Sequence, residues 1–152
     1  METSKNEIYS VIREILKKNR DAEKGFAKAA ENAKDARLQT FFRKKSGERQ
    51  EFNARLLSEI QTAYSEFDAT GSFSGTIHRT WMDVKTLFSA DDDESMLEES
   101  IRGDKAAVEE YDDVLDYKHL PAGLRFLLNE QREKILMDIS KNQRLEDLSE
   151  AL

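Results

Sequence analysis

The chain has 152 residues, with one proline, six glycines and no cysteine. This length suits a single domain over residues 1–152, and the lack of cysteine excludes disulfides, thiolate metal ligands and a cysteine nucleophile. The net charge is -7 and 36% of the residues are charged, so no nucleic-acid partner is expected, because phosphate binding needs a basic surface.

Apolar residues recur at three- and four-residue spacing along most of the chain, which predicts an all-α protein. The first helix is expected to begin at Ser4, which forms a capping box with Glu7, and to end near Lys34. The second is expected to begin after an N-cap at Asp35 and to end near Asp68. The break between them is short, so the two helices should be antiparallel neighbours.

The stretch after the second helix is rich in turn-forming residues, and a short helix is predicted over residues 76–88 with Trp81 on its apolar face. The acidic run 91–94 is not a calcium loop of the EF-hand type, because the sixth position, which requires glycine, is Met96. We therefore predict that this run is the N-terminal cap of the third helix.

Two further long helices complete the predicted architecture. The third is expected over residues 94–118, and Pro121 suits the first turn of the fourth helix. The apolar positions of the fourth helix continue to Leu148. The sequence thus predicts two helical hairpins joined by a long connection.

This order of elements resembles that of ferritin-like bundles. A second likeness, to the first two helices of rubrerythrins, is carried by Phe26, Ala27, Lys28, Ala29, Ala30, Leu38, Phe42, Arg55 and Leu56. The segment GTIHRTWMDVK at residues 75–85 resembles the crossover of an uncharacterised bacterial family of ferritin-like four-helix-bundle proteins, a domain of unknown function. The resemblance implies a ferritin-like four-helix bundle with a short extra helix in the long crossover between the second and third core helices. It also suggests a stress-related role, without an established activity.

The histidines that a ferritin-like di-iron site requires are missing. Such sites use a Glu on two helices and a Glu-x-x-His pair on the other two. When the chain is aligned with rubrerythrins through the stretch that begins at Phe26, the Glu and His positions of the second helix are occupied by Arg49 and Phe52. Neither side chain can ligate iron. The chain has two histidines. His78 falls in the predicted crossover, and His119 falls in the predicted turn between the third and fourth helices. No catalytic residue, metal site or cofactor is therefore expected.

An alternative is a di-iron-type protein, an oxidase or a metal store, that binds iron or manganese through carboxylates alone. The carboxylates available at suitable positions are Glu23, Glu48, Glu51, Asp104 and Glu130. The competing interpretation is that these side chains lie on the solvated faces of acidic helices.

The apolar stripes of all four helices are interrupted near the middle of the bundle. The candidate members of a buried polar layer at this height are Glu23, Arg49, Asp104 and Asp138. Buried charges persist when they are paired. Our hypothesis is that Arg49 bridges Glu23 and Asp104 or Asp138, and supplies the positive charge that metal ions supply in relatives.

These observations favour a non-catalytic bundle that acts as a structural or protein-interaction module, either as a homodimer or with a helix-mediated protein partner. A small-ligand binder with a gap between its helices is a further alternative. The sequence has neither a Gly-x-Ser-x-Gly elbow nor a glycine-rich phosphate loop. The polar N-terminal residues and the lack of any long apolar run predict a cytoplasmic protein with no signal peptide and no membrane segment.

Overall fold

The computed structural model describes residues 2–70 and 92–150. These residues form α1 (Glu2–Asn32), α2 (Ala36–Ala63), α3 (Asp93–Leu115), α4 (Ala122–Lys141) and a final 3-10 helix (Leu145–Glu150). No strand occurs in these two ranges, so the prediction of an all-α four-helix bundle is confirmed. The helix predicted over residues 76–88, with His78 and Trp81, lies outside the described residues. In the ranges 2–70 and 92–150, no helix combines the length and the hydropathy that a membrane-spanning segment needs.

Acidic side chains cap two of the helices, as the sequence predicts. The Asp35 Oδ1 atom accepts a hydrogen bond from the Arg37 backbone N–H at 2.8 Å, before α2. Asp92 Oδ1 accepts one from the Ser95 N–H at 2.7 Å, at the start of α3. The predicted capping box is wrong, because α1 already begins at Glu2 and Ser4 lies inside the helix.

Helix α2 ends earlier than predicted. Tyr64, the residue after the last helical position, adopts an extended conformation with φ of -137°. A turn follows in which the Phe67 N–H donates to the Tyr64 carbonyl at 3.1 Å. This turn packs the Phe67 ring edge-on against Tyr9, with the ring centres 5.4 Å apart. Burial of Phe67 against α1 is therefore what replaces the last predicted turn of α2.

The connection between α2 and α3 joins opposite ends of the bundle. The Asp93 carboxylate accepts hydrogen bonds from the backbone N–H groups of Lys34 and Asp35, so α3 begins beside the turn between α1 and α2. At the other end of α2, the Tyr9 hydroxyl donates to Glu66. The 28 residues of α2 correspond to roughly 42 Å of helix. Helices α2 and α3 thus run in the same direction, and both are antiparallel to α1.

The apolar core consists of two clusters stacked along the bundle axis. The first, which we call the upper cluster, includes Ile8, Ile12, Ile15, Leu16, Phe52, Leu56, Ile60, Ala107, Tyr111, Val114, Leu124, Leu128 and Ile135. The second, the lower cluster, includes Ala22, Phe26, Ala29, Leu38, Phe41, Phe42, Met96, Leu97 and Leu148. On α1, α2 and α3, the stretch between the two clusters coincides with the break in the apolar stripe.

The C-terminal residues reach the core by a route that the sequence pattern did not predict. Helix α4 ends at Lys141, and the Asp147 carboxylate then accepts hydrogen bonds from the N–H groups of Gln143 and Arg144 at 3.3 and 3.2 Å. This local capping starts a 3-10 helix, which fully buries Leu148 in the lower cluster. Leu148 is therefore a core residue, but α4 does not extend to it.

We predict that Leu148→Ala lowers the free energy of unfolding by about 2–4 kcal/mol, because it leaves a cavity in the lower cluster. The exposed neighbour Gln143 provides the control, since Gln143→Ala should change stability by less than about 0.5 kcal/mol. Urea unfolding followed by circular dichroism measures both. Equal midpoints for the two variants would show that the C-terminal 3-10 helix does not support the core.

Candidate functional site

A set of buried and half-buried charged side chains separates the two apolar clusters. We call it the charge layer, and it consists of Lys45, Glu48, Arg49, Asp104 and Asp138. At its centre, Asp104 Oδ2 accepts a hydrogen bond from Lys45 Nζ at 2.5 Å and Oδ1 accepts one from Arg49 Nη2 at 2.6 Å. The three side chains are no more than 5% exposed. One carboxylate is thus shared by two buried cations.

The spacing of α2 explains why both cations point inward. Lys45 and Arg49 are four residues apart, so they lie on one face of the helix. Aromatic rings of the lower cluster cover them from one side: the Phe26 ring centre is 5.1 Å from Lys45 Nζ and 5.7 Å from the Arg49 guanidinium carbon. The ring faces attract the cations and stabilise their burial.

A second pair of carboxyl groups completes the charge layer. Asp138 Oδ2 lies 3.4 Å from Lys45 Nζ, and Glu48 lies close enough to Asp138 for the two carboxyl groups to affect each other electrostatically. Burial raises the pKa of Glu48 to about 7, and the negative charge of Asp138 adds to the shift, while Lys45 and Arg49 oppose it. Because two ionised carboxylates repel each other, protonation of Glu48 relieves the repulsion by Asp138.

Hydrogen bonds extend the charge layer into the upper cluster. Arg49 Nη1 donates to Asn19 Oδ1 at 3.4 Å, and Asn19 Nδ2 donates to the Tyr111 hydroxyl at 3.2 Å. That hydroxyl donates to Gln131 Oε1 at 2.7 Å, and Gln131 Nε2 donates to the Phe52 carbonyl at 3.1 Å. Burial raises the pKa of Tyr111 to about 12, so the hydroxyl keeps its proton. This series of hydrogen bonds therefore connects side chains from all four helices.

The structure brings together three of the four residues that we proposed for a polar layer. Arg49 binds Asp104, and Asp138 joins them through Lys45. The Glu23 carboxylate forms no ion pair with a residue in the ranges 2–70 and 92–150; its backbone carbonyl accepts a hydrogen bond from Ser46 Oγ. The place that we assigned to Glu23 is taken by Asn19, so Arg49 bridges Asn19 and Asp104.

The proposed polar layer omitted two buried ionic residues. Lys45 lies four positions before Arg49, and this spacing within the apolar stripe was a usable signal. Glu110 is fully buried and its Oε2 lies 2.7 Å from Lys18 Nζ. No pattern distinguished Glu110, because acidic residues surround it on α3. Its burial depends on a lysine of another helix, which sequence spacing does not show.

The residues do not fit a di-metal centre. Both oxygens of Asp104 already bind cations, Glu51 is exposed, and Glu130 pairs with Arg55 at 3.0 Å. His119 is exposed in the α3–α4 turn. Among the described residues, no three His, Asp or Glu side chains are close enough together to hold a metal ion. The two buried cations would also repel a metal ion at this position.

A known protein family matches most of the chain. Residues 7–117 match the family described as Domain of unknown function (DUF2383). The chain belongs to this family. The DUF2383 match covers α1 to α3 almost completely, with Asn19, Lys45, Arg49 and Asp104, and ends before α4 and Asp138. No curated protein is found to match the chain.

We predict that Glu48 makes the stability of this DUF2383 protein depend on pH. Its pKa is about 7 in the folded protein against an ordinary value of 4.5, so between these values the folded state binds more protons than the unfolded chain. The stabilisation is complete below pH 4.5 and is lost as the pH rises through 7, at a cost of at most about 3 kcal/mol. Urea unfolding at several pH values should show this decline.

The Glu48→Gln variant should lack that part of the pH dependence, because an amide does not titrate. Glu51→Gln, which changes an exposed carboxylate on the same helix, should keep the pH dependence of the natural chain. If all three proteins lost stability equally between pH 5 and 8, then Glu48 would not be the responsible group.

Lys45→Met should lower the free energy of unfolding by about 3 kcal/mol, because it removes one cation from Asp104 and the cation nearest to Asp138. Lys44→Met is the matched control, since Lys44 is the exposed neighbour on α2 and should change stability by less than about 0.5 kcal/mol. Denaturant unfolding at pH 7 compares them. Equal stabilities would mean that the Lys45 ammonium does not stabilise the layer.

Proposed function

We propose that this DUF2383 protein is a ferritin-like bundle without catalytic activity, in which side-chain cations stand at the place of a metal centre. Its role is that of a structural or protein-interaction module. Support for the ferritin-like assignment comes from the order of the helices. The connection between α2 and α3 joins opposite ends of the bundle, which is the arrangement of ferritin-like folds with their single long crossover.

The observation that carries this proposal is the Asp104 carboxylate shared by Lys45 and Arg49. Metal centres of ferritin-like proteins lie in the bundle core between facing helices, and the charge layer occupies that place here. Lys45 Nζ and Arg49 Nη2 lie at 2.5 and 2.6 Å from the two oxygens of Asp104. The protein itself therefore supplies the positive charge that a buried carboxylate needs.

The alternative function is a carboxylate-only metal protein, either an oxidase or a metal store. The feature that favours it is the Glu48–Asp138 pair, which brings two carboxyl groups from α2 and α4 together. Lys45 lies 3.4 Å from Asp138, and it would have to move before a metal ion could bind there. The charge layer as it stands supports the metal-independent function better.

Elemental analysis of the purified protein separates these two functions. We expect no stoichiometric iron or manganese after expression in metal-supplemented medium, and no change in melting temperature when a chelator is added. About two iron or manganese ions per chain, the content of a di-iron-type centre, would contradict the proposal. A chelator-induced fall in melting temperature would contradict it as well.

A further inference from the structure

The outer face of α4 carries two large exposed apolar side chains. Phe126 is 72% exposed and Met137 is 53% exposed, and these are the large apolar side chains that the described residues leave open to solvent. They are eleven positions apart, which is close to three helical turns, so they lie on the same face. A shallow groove lined by Leu115, Ala122 and Asn129 flanks Phe126.

We infer that the outer face of α4, defined by Phe126, Glu130, Glu133, Lys134 and Met137, is the surface through which two copies of the chain associate. The inference rests on the proposed function, because it specifies how the bundle acts as an interaction module. The partner is a second copy of the same chain, related by a two-fold axis through the middle of α4.

The positions of the two apolar residues support this symmetry. Helix α4 covers Ala122–Lys141, and its midpoint falls between residues 131 and 132. Phe126 and Met137 lie at equal distances from that midpoint. A two-fold axis there aligns α4 antiparallel with its copy along its whole length, roughly 30 Å. Phe126 of each copy then faces Met137 of the other, as in an isologous interface.

The charges on this face include one pair of opposite charges that the symmetry brings together. Glu133 stands level with Glu130 of the other copy, but it is already paired with Arg132 at 3.0 Å. Glu130 and Lys134 lie on the flank of α4 that contacts α2, since Glu130 pairs with Arg55 and Lys134 lies over the Phe52 ring. In an antiparallel pair, like flanks meet, so Glu130 of one copy comes close to Lys134 of the other. Each of these pairs would add to the contact between Phe126 and Met137.

The distribution of charge also favours α4 as the contact surface. The chain has a net charge of -7, which opposes association of two copies. Helix α3 carries most of this charge, with nine acidic and two basic residues. Helix α4 has four basic and three acidic residues. Contact through α4 therefore opposes less negative charge than contact through α3 would.

Light scattering coupled to size exclusion measures the mass of the full chain in solution. We expect about 35 kDa at micromolar concentration, twice the 17.5 kDa of one chain. Phe126→Lys and Met137→Lys should each weaken association at least tenfold and give the monomer mass with unchanged helix content. Ala27→Lys is the control, since Ala27 is exposed on α1, and it should leave the dimer intact.

Cysteine pairing tests the antiparallel register, because the chain contains no natural cysteine. An oxidised mixture of Phe126→Cys and Met137→Cys chains should form disulfide-linked dimers of the two variants. Either variant alone should cross-link far less, because its two cysteines lie roughly 17 Å apart in the dimer. A natural chain that is monomeric, or lysine variants that remain dimeric, would overturn the inference. Metal content is measured separately, so such a result is distinguishable from a failure of the metal-independent function.

Discussion

The Asp104 carboxylate, held between Lys45 and Arg49, is the interaction on which the centre of the bundle depends. Each buried ion costs several kcal/mol unless other charges and hydrogen bonds compensate it. Two cations face Asp104 and the Glu48–Asp138 pair, and one proton on that pair balances the charges of the layer. The layer is therefore neutral as a unit when Glu48 is protonated, which its pKa of about 7 allows on the acidic side of neutral pH.

This constraint fixes how the helices stand relative to one another. Leucine, isoleucine and phenylalanine contacts tolerate small shifts along the bundle axis, because apolar packing has no directional requirement. The hydrogen bonds from Lys45 and Arg49 to Asp104 tie α2 to α3 at one height. Asn19 and Asp138 add α1 and α4 at the same level. The charge layer thus sets a common register for the upper and lower clusters.

Sequence periodicity was sufficient for the all-α bundle, and the breaks in the apolar stripes gave the height of the charge layer. Periodicity could not show which of the side chains at that height points into the core. Asn19 and Glu23 are one helical turn apart on α1, and the core contains Asn19 whereas Glu23 remains half-buried. Lys45 can extend to water or point inward, because a long lysine stem permits both. Leu148 was placed in the core correctly but in the wrong type of helix, because the capping by Asp147 is a local contact that periodicity does not report.

A double-mutant cycle between Arg49 and Asp104 tests most directly whether the buried charges compensate each other. Arg49→Met and Asp104→Leu should each destabilise the protein by about 3–5 kcal/mol, because the first removes one of the two cations that hold Asp104 and the second removes the carboxylate that Lys45 and Arg49 share. The double variant keeps the pair between Lys45 and Asp138, so its loss should be several kcal/mol smaller than the sum of the two single losses. Additive losses would contradict the account, because the two side chains would then be energetically independent.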